Sequence, residues 1–205
     1  MPMTLGRLTE FLRHGSNAVA LMLVLVLAVL ATQSTLGASR LLTWAILGAM
    51  AFFLAEYGTH RFLLHARPAA SRFVLSLQHR LHYDHHSEPE RLDLLFLPLW
   101  FLIPALALYA LIYYALSRSI SITLAIVFGN LCALLYYEWV HYVAHIAYIP
   151  RSAWARWMKK YHLLHHFKNE HYWFGVTNPS MDYVSRTYAR VTDVQRSSTT
   201  RDLFG

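Results

Sequence analysis

The stretch from Ile120 to His145 narrows the choice of fold more than any other. No charged residue interrupts it before Glu138. About 20 such residues cross the hydrocarbon layer of a bilayer. The run then ends in Glu138-x2-His141-x3-His145, and Pro150 stops it. Only 14% of the chain is charged and 56% is hydrophobic. Soluble domains carry about 25% charge, so lipid is the main solvent here.

Three more apolar runs lead to an all-α integral membrane fold with four transmembrane helices, at about 17–37, 41–65, 94–116 and 120–147. Arg7 and Arg13 precede the first run as in a signal peptide, but the run is long enough to span and reads as uncleaved. Pro98 and Pro104 bend the first half of the third span. A helix over 41–65 is about 37 Å long against a layer of about 30 Å. Its end therefore emerges from the bilayer, as does the end of the fourth span.

Of the 18 Lys and Arg residues, only Arg40 and Arg118 lie in the loops after the first and third spans. The positive-inside rule then puts both termini on the cytoplasmic side of a multi-pass protein. It also makes 66–92 and 151–190 a cytosolic helical cap, with 191–205 a loose tail. Trp154, Trp157, Met158 and Tyr161 form one stripe of a helix, with Arg156, Lys159 and Lys160 opposite, which suits the headgroup region. The net charge of +7 thus reflects membrane flanks, not nucleic-acid binding. The lone Cys132 excludes a disulfide framework and a thiolate metal site.

Ten of the 13 histidines fall into four clusters. These are His60 and His65; His82, His85 and His86; His141 and His145; and His162, His165 and His166. Residues three and four apart share a helix face, so H-x2-HH aims three imidazoles one way and H-x3-H aims two. H-x4-H differs, because on an α-helix its two members are about 140° apart. His60 and His65 then serve two different ions, or the helix unwinds between them. Either way the ten point to a dinuclear centre at the cytoplasmic face. His79 and His171 are possible extras, and His14 reads as an isolated polar residue. Glu56 and Glu138 lie just before histidines of their own helices, where each would accept an imidazole N–H.

These residues resemble the fatty acid hydroxylase superfamily. The likeness rests on Glu56-Tyr-Gly-Thr-His60-x4-His65, both H-x2-HH clusters, Tyr137-Glu138-x2-His141-x3-His145 and Phe174-Gly-Val-Thr-x-Pro179-x2-Asp182. It is strongest for the fatty acid 2-hydroxylase branch, over roughly residues 50–188. The resemblance implies four transmembrane helices under a cytosolic cap, with the ten histidines ligating two iron ions. Zinc is able to take their place in purified protein. It also implies O2 as oxidant, an external electron donor from a separate reductase or carrier, and a lipid or fatty acyl substrate entering from the bilayer. Glu138 stands where the family has an acid needed for activity, and Asp182 belongs to its closing motif. Two departures stand out. The His-Pro-Gly-Gly motif of a fused haem domain is missing, and Arg186 stands where the closing motif has glycine.

The function expected is di-iron hydroxylation of a fatty acyl chain or acyl lipid, with C2 as the candidate carbon. Desaturation, or oxidation of a sterol, carotenoid or lipid headgroup, is the alternative within the same chemistry. A non-redox metal transporter or sensor is the rival from another class, but it calls for ligands at mid-membrane depth.

Overall fold

A computed structural model of the chain describes residues 5–204. Every regular element among them is helical. In chain order these are α1 (Leu5–Arg13), α2 (Gly15–Ala31), α3 (Ala38–Thr59), α4 (Arg72–Gln78), α5 (Asp84–Ser87), α6 (Leu92–Leu95), α7 (Leu99–Ser117), α8 (Ile120–His145), α9 (Ala153–Phe167) and α10 (Ser180–Val184). Wider π-helical turns extend α3 over His60–Leu64 and α4 over His79–Tyr83.

Among the described residues, three helical stretches are long and apolar enough to cross a membrane: Ala38–Leu64, Leu92–Ser117 and Ile120–His145. A fourth counts only if α1 and α2, bent by 94°, act as one span. The span expected at 17–37 stops at Ala31. There Thr32 Oγ1 donates to the Val29 carbonyl, and Leu36 N–H donates to Ser34 Oγ. Such side chains offer the backbone an alternative to the helical ladder. The third expected span is also altered at its start. Phe96 and Pro98 are extended, so Pro98 separates α6 from α7 instead of bending one helix, while Pro104 lies inside α7.

The chain divides into two compact units. One comprises residues 5–53 and 97–136, the other residues 54–96 and 137–204 among those described. In the first, α3 and α8 cross backbone against backbone. A Cβ at Gly48 would collide with the Ile126 carbonyl, and one at Gly129 with the Ala45 carbonyl. Small residues permit such contact between membrane helices, where van der Waals packing replaces the hydrophobic drive. Asn130 adds a polar tie, donating to the Gly48 carbonyl (2.5 Å) and accepting from Tyr113 Oη (3.1 Å).

The second unit contains all ten clustered histidines. Its apolar packing gathers on Met158, Tyr161, Trp173 and Val194, so α9 buries one face, while Trp154 at the start of the same stripe stays exposed. The tail expected to be loose is tied down. Ser197 N–H donates to the Lys168 carbonyl (2.8 Å), Asn169 Nδ2 donates to the Gln195 carbonyl (3.1 Å), and Val194 and Thr200 are buried. Its polar composition concealed that these groups find partners at the end of α9.

Candidate metal centre

The ten histidines form two sets of five. His60, His65, His82, His86 and His165 make the first; His85, His141, His145, His162 and His166 make the second. Within each set, one ring nitrogen per residue lies within 4.8 Å of all the others.

This division decides between two alternatives from helical spacing and corrects a further expectation. His60 and His65 belong to the same set, with ring centroids 5.0 Å apart. The pair is not split, and the second alternative holds: the helix unwinds locally between them. It widens into a π-turn, in which His65 N–H donates to the His60 carbonyl (3.0 Å), so positions five apart share a face. The H-x2-HH clusters do the opposite of what an α-helical wheel suggests. His82 and His86 go to the first set while His85 goes to the second; His165 goes to the first while His162 and His166 go to the second. Each cluster therefore serves both sets. The His86 and His166 rings stack across the division at 4.1 Å.

Backbone carbonyls orient the first set. His60 Nδ1 meets the Phe174 carbonyl at 2.5 Å, His165 Nδ1 the Tyr172 carbonyl at 2.8 Å, and His86 Nδ1 the Thr200 carbonyl at 2.9 Å. A carbonyl only accepts, so each of these Nδ1 atoms carries the hydrogen and each Nε2 holds a lone pair. The Nε2 atoms then crowd together: His60 to His82 at 3.1 Å, His82 to His65 at 2.7 Å, and His65 to His165 at 3.0 Å.

No neutral arrangement of hydrogens satisfies that chain. With lone pairs at both ends, on His60 and His165, one of the three contacts must set lone pair against lone pair or N–H against N–H. Protonation does not relieve it, because burial pushes His65, His82 and His165 well below the ordinary histidine range. A cation among the lone pairs resolves all three contacts at once. Nitrogens ~2.1 Å from a common ion and at right angles around it lie about 3.0 Å apart. The donor set therefore fits a transition metal.

In the second set, His141 Nε2 lies 3.1 Å from His85 Nε2, and His145 Nε2 lies 2.9 Å from His162 Nε2. Burial likewise holds His85, His162 and His166 well below their usual range. The Nδ1 atoms of His85, His141, His162 and His166 are buried without a hydrogen-bond partner. The two sets thus differ in support, although they match in ligand count.

Glu56 and Asp182 reach the histidines at one remove. Glu56 was expected to accept from an imidazole. Instead it accepts from Val176 N–H (2.8 Å), Thr177 N–H (3.1 Å) and Thr177 Oγ1 (2.5 Å). Asp182 is fully buried and accepts from Phe174 N–H (2.9 Å), Gly175 N–H (2.7 Å) and Thr187 Oγ1 (2.7 Å). Together they clamp the segment 174–177, whose Phe174 carbonyl orients His60. Glu138 is buried in α8, three residues before His141.

His79 and His171 join neither set. His79 is exposed and meets Asp84 at 2.9 Å; His171 is exposed and lies 3.4 Å from Glu170. The carbonyls of Tyr172, Phe174 and Thr200 were missed by sequence reasoning, since every residue has a carbonyl and nothing in a sequence marks one that orients a ligand.

Arg186 takes the left-handed conformation (φ 58°). Thr187 N–H donates to the Asp182 carbonyl (2.9 Å) and Arg186 N–H to the Tyr183 carbonyl (3.4 Å), a Schellman ending of α10. Glycine is the usual residue there because it alone lacks the Cβ penalty.

A family model described as fatty acid hydroxylase matches residues 45–187. Among curated proteins, the fatty acid 2-hydroxylase of Rattus norvegicus is 31% identical over 69% of this chain and 38% of its own length. The ceramide very long chain fatty acid hydroxylase SCS7 of Saccharomyces cerevisiae is 33% identical over 69% and 36%. The dihydroceramide fatty acyl 2-hydroxylase FAH2 of Arabidopsis thaliana is 30% identical over 74% and 62%. All three are thus matched over less than two thirds of their own length. A solved structure titled full length scs7p, with only its hydroxylase domain visible, superposes with a TM-score of 0.78 at 28% identity, over 88% of this chain and 67% of the other.

Proposed function

Since this chain belongs to the fatty acid hydroxylase family, we propose that it is a membrane-bound, O2-dependent hydroxylase of a fatty acyl chain or acyl lipid, acting at C2. Two iron ions are held by the two sets of five histidines. The irons supply the chemistry that splits O2 with two electrons and two protons from a separate carrier, placing one oxygen atom on carbon and the other in water. The hydrogen-bond conflict along His60, His82, His65 and His165 carries this reading, because a cation removes it and a rearranged proton does not.

The chain's own residues do the positioning. The Phe174, Tyr172 and Thr200 carbonyls hold His60, His165 and His86 in the tautomer whose Nε2 faces inward. Glu56 and Asp182 keep segment 174–177 in place. Stacked His86 and His166 keep the two sets adjacent. The charge asymmetry supports a cytoplasmic position for this unit and for both termini, where a soluble carrier has access.

The test is expression in a lipid-producing host, comparing the lipids made with the wild type and with His141→Ala. The expected result is a lipid heavier by one oxygen atom, with hydroxyl at C2, that the variant fails to make. Matching lipid profiles from iron-loaded cells would overturn the proposal. A product lighter by two hydrogens would replace hydroxylation with desaturation.

A further inference from the structure

The chain beyond residue 187 lies outside the matched family stretch, yet it reaches the histidines. The Thr200 carbonyl accepts from His86 Nδ1 at 2.9 Å, and both groups are buried. Several contacts hold Thr200 there. Ser87 Oγ donates to the Arg201 carbonyl (2.9 Å), and the Arg201 guanidinium donates back to the Ser87 carbonyl (3.0 Å). Upstream of Thr200, Glu170 Oε1 accepts from Ser197 Oγ (2.9 Å) and from Thr199 Oγ1 (2.5 Å).

Glu170 is 1% exposed. Its other oxygen, Oε2, is buried with no hydrogen-bond partner. Burying a carboxyl this way costs free energy, so general stability does not explain it. The short hydrogen bonds made by its other oxygen all go to one segment, Ser197–Thr199, directly before the carbonyl that orients His86.

We infer that residues 197–201 form a strap belonging to the metal centre, and that Glu170 is its positioning residue. The strap fixes His86 with Nδ1 protonated and Nε2 turned toward the first set, and Glu170 sets where the strap runs. This inference rests on the proposal that the histidines bind metal. It predicts a selective defect: the strap touches His86 of the first set, and its hydrogen bonds reach no ring nitrogen of the second. Groups that hydrogen-bond to ligating histidines typically change metal affinity 10- to 100-fold when lost.

The experiment measures release of both metal ions to a chelator from full-length protein in detergent. It compares the wild type with Glu170→Gln, with Ser197→Ala/Thr199→Ala, with all three changes together, and with a chain ending at Arg196. The truncated chain is expected to release one ion about 10-fold faster and the other at the wild-type rate. Glu170→Gln and the hydroxyl double variant should each speed the same ion about threefold, and their combination no more than either alone. Wild-type rates for both ions in every variant would overturn the strap. Equal acceleration of both ions would also overturn it, since that marks general loosening. A wild type that binds no metal would overturn the underlying proposal, a different failure read from the same assay.

Discussion

Replacing Asp182 by Asn should perturb the candidate metal centre without touching a histidine. The carboxylate takes three hydrogen bonds of 2.7–2.9 Å, from Phe174 N–H, Gly175 N–H and Thr187 Oγ1. Asn keeps the shape but replaces one accepting oxygen by an NH2 group. Turned either way, it sets a donor against at least one donor in a fully buried place. A hydrogen bond to a charged group contributes about 1.5–3 kcal/mol, and a buried donor left unpaired costs about 1–3 kcal/mol. The variant should therefore lose roughly 2–4 kcal/mol locally. The loss falls on segment 174–177, which carries the carbonyl that orients His60. Thermal unfolding in detergent should shift down, and a chelator should remove one ion about 10-fold faster or more. Thr187→Val, which removes one donor but leaves the carboxylate and both N–H bonds, should do much less. If Asp182→Asn releases metal at the wild-type rate and melts with the wild type, the claim that Asp182 acts through Phe174 on His60 is wrong.

Three other outcomes follow from the same geometry. In the wild type, chelation should be biphasic, with rates separated by about tenfold, because carbonyls orient three rings of the first set while four Nδ1 atoms of the second have no partner; a single phase would refute the difference. Arg186→Gly should stabilise the protein by about 0.5–1 kcal/mol, measured by melting, since it relieves a left-handed non-glycine residue. An unchanged or lower melting temperature would count against that account. Apoprotein should lose stability as pH falls below about 6.5. Burial keeps His65, His82, His85, His86, His162, His165 and His166 neutral when folded, whereas unfolded histidines bind protons near 6.5. Their folded pKa values are depressed, so stability is full above 6.5 and declines below it, by about 1.4 kcal/mol per histidine per pH unit. Melting temperatures that stay level down to about pH 5 would contradict this.

Much of the protein was legible in its amino acids because lipid and metal impose strict local demands. An uncharged run such as Ile120–Tyr137 has few places to go but a bilayer, and helical spans follow from the need to pair every backbone group. That the ten clustered histidines belong together was equally plain, since imidazoles at chelating spacings have few other uses. Their division into two sets was not. It depends on a π-turn at His60–Leu64 that brings positions five apart onto one face, and on α5 and α9 lying where each feeds both sets. Helical spacing alone left the first place open and pointed the wrong way at the second.

Glu56 and Asp182 show the same boundary. Their burial in a functional region was foreseeable, but their targets are backbone N–H groups of segment 174–177, which is more than 100 residues from Glu56 in the chain. The tail shows it most sharply, because its polar residues suggest looseness whereas Glu170 and Ser87 hold it in place. The chain by itself thus determined its solvent, its helices and its ten candidate ligands, which depend on side-chain chemistry and short-range period. Only the tertiary structure decided which histidines gather into one set and which carbonyls orient them, because backbone groups carry no sequence signature and long-range contacts leave no period.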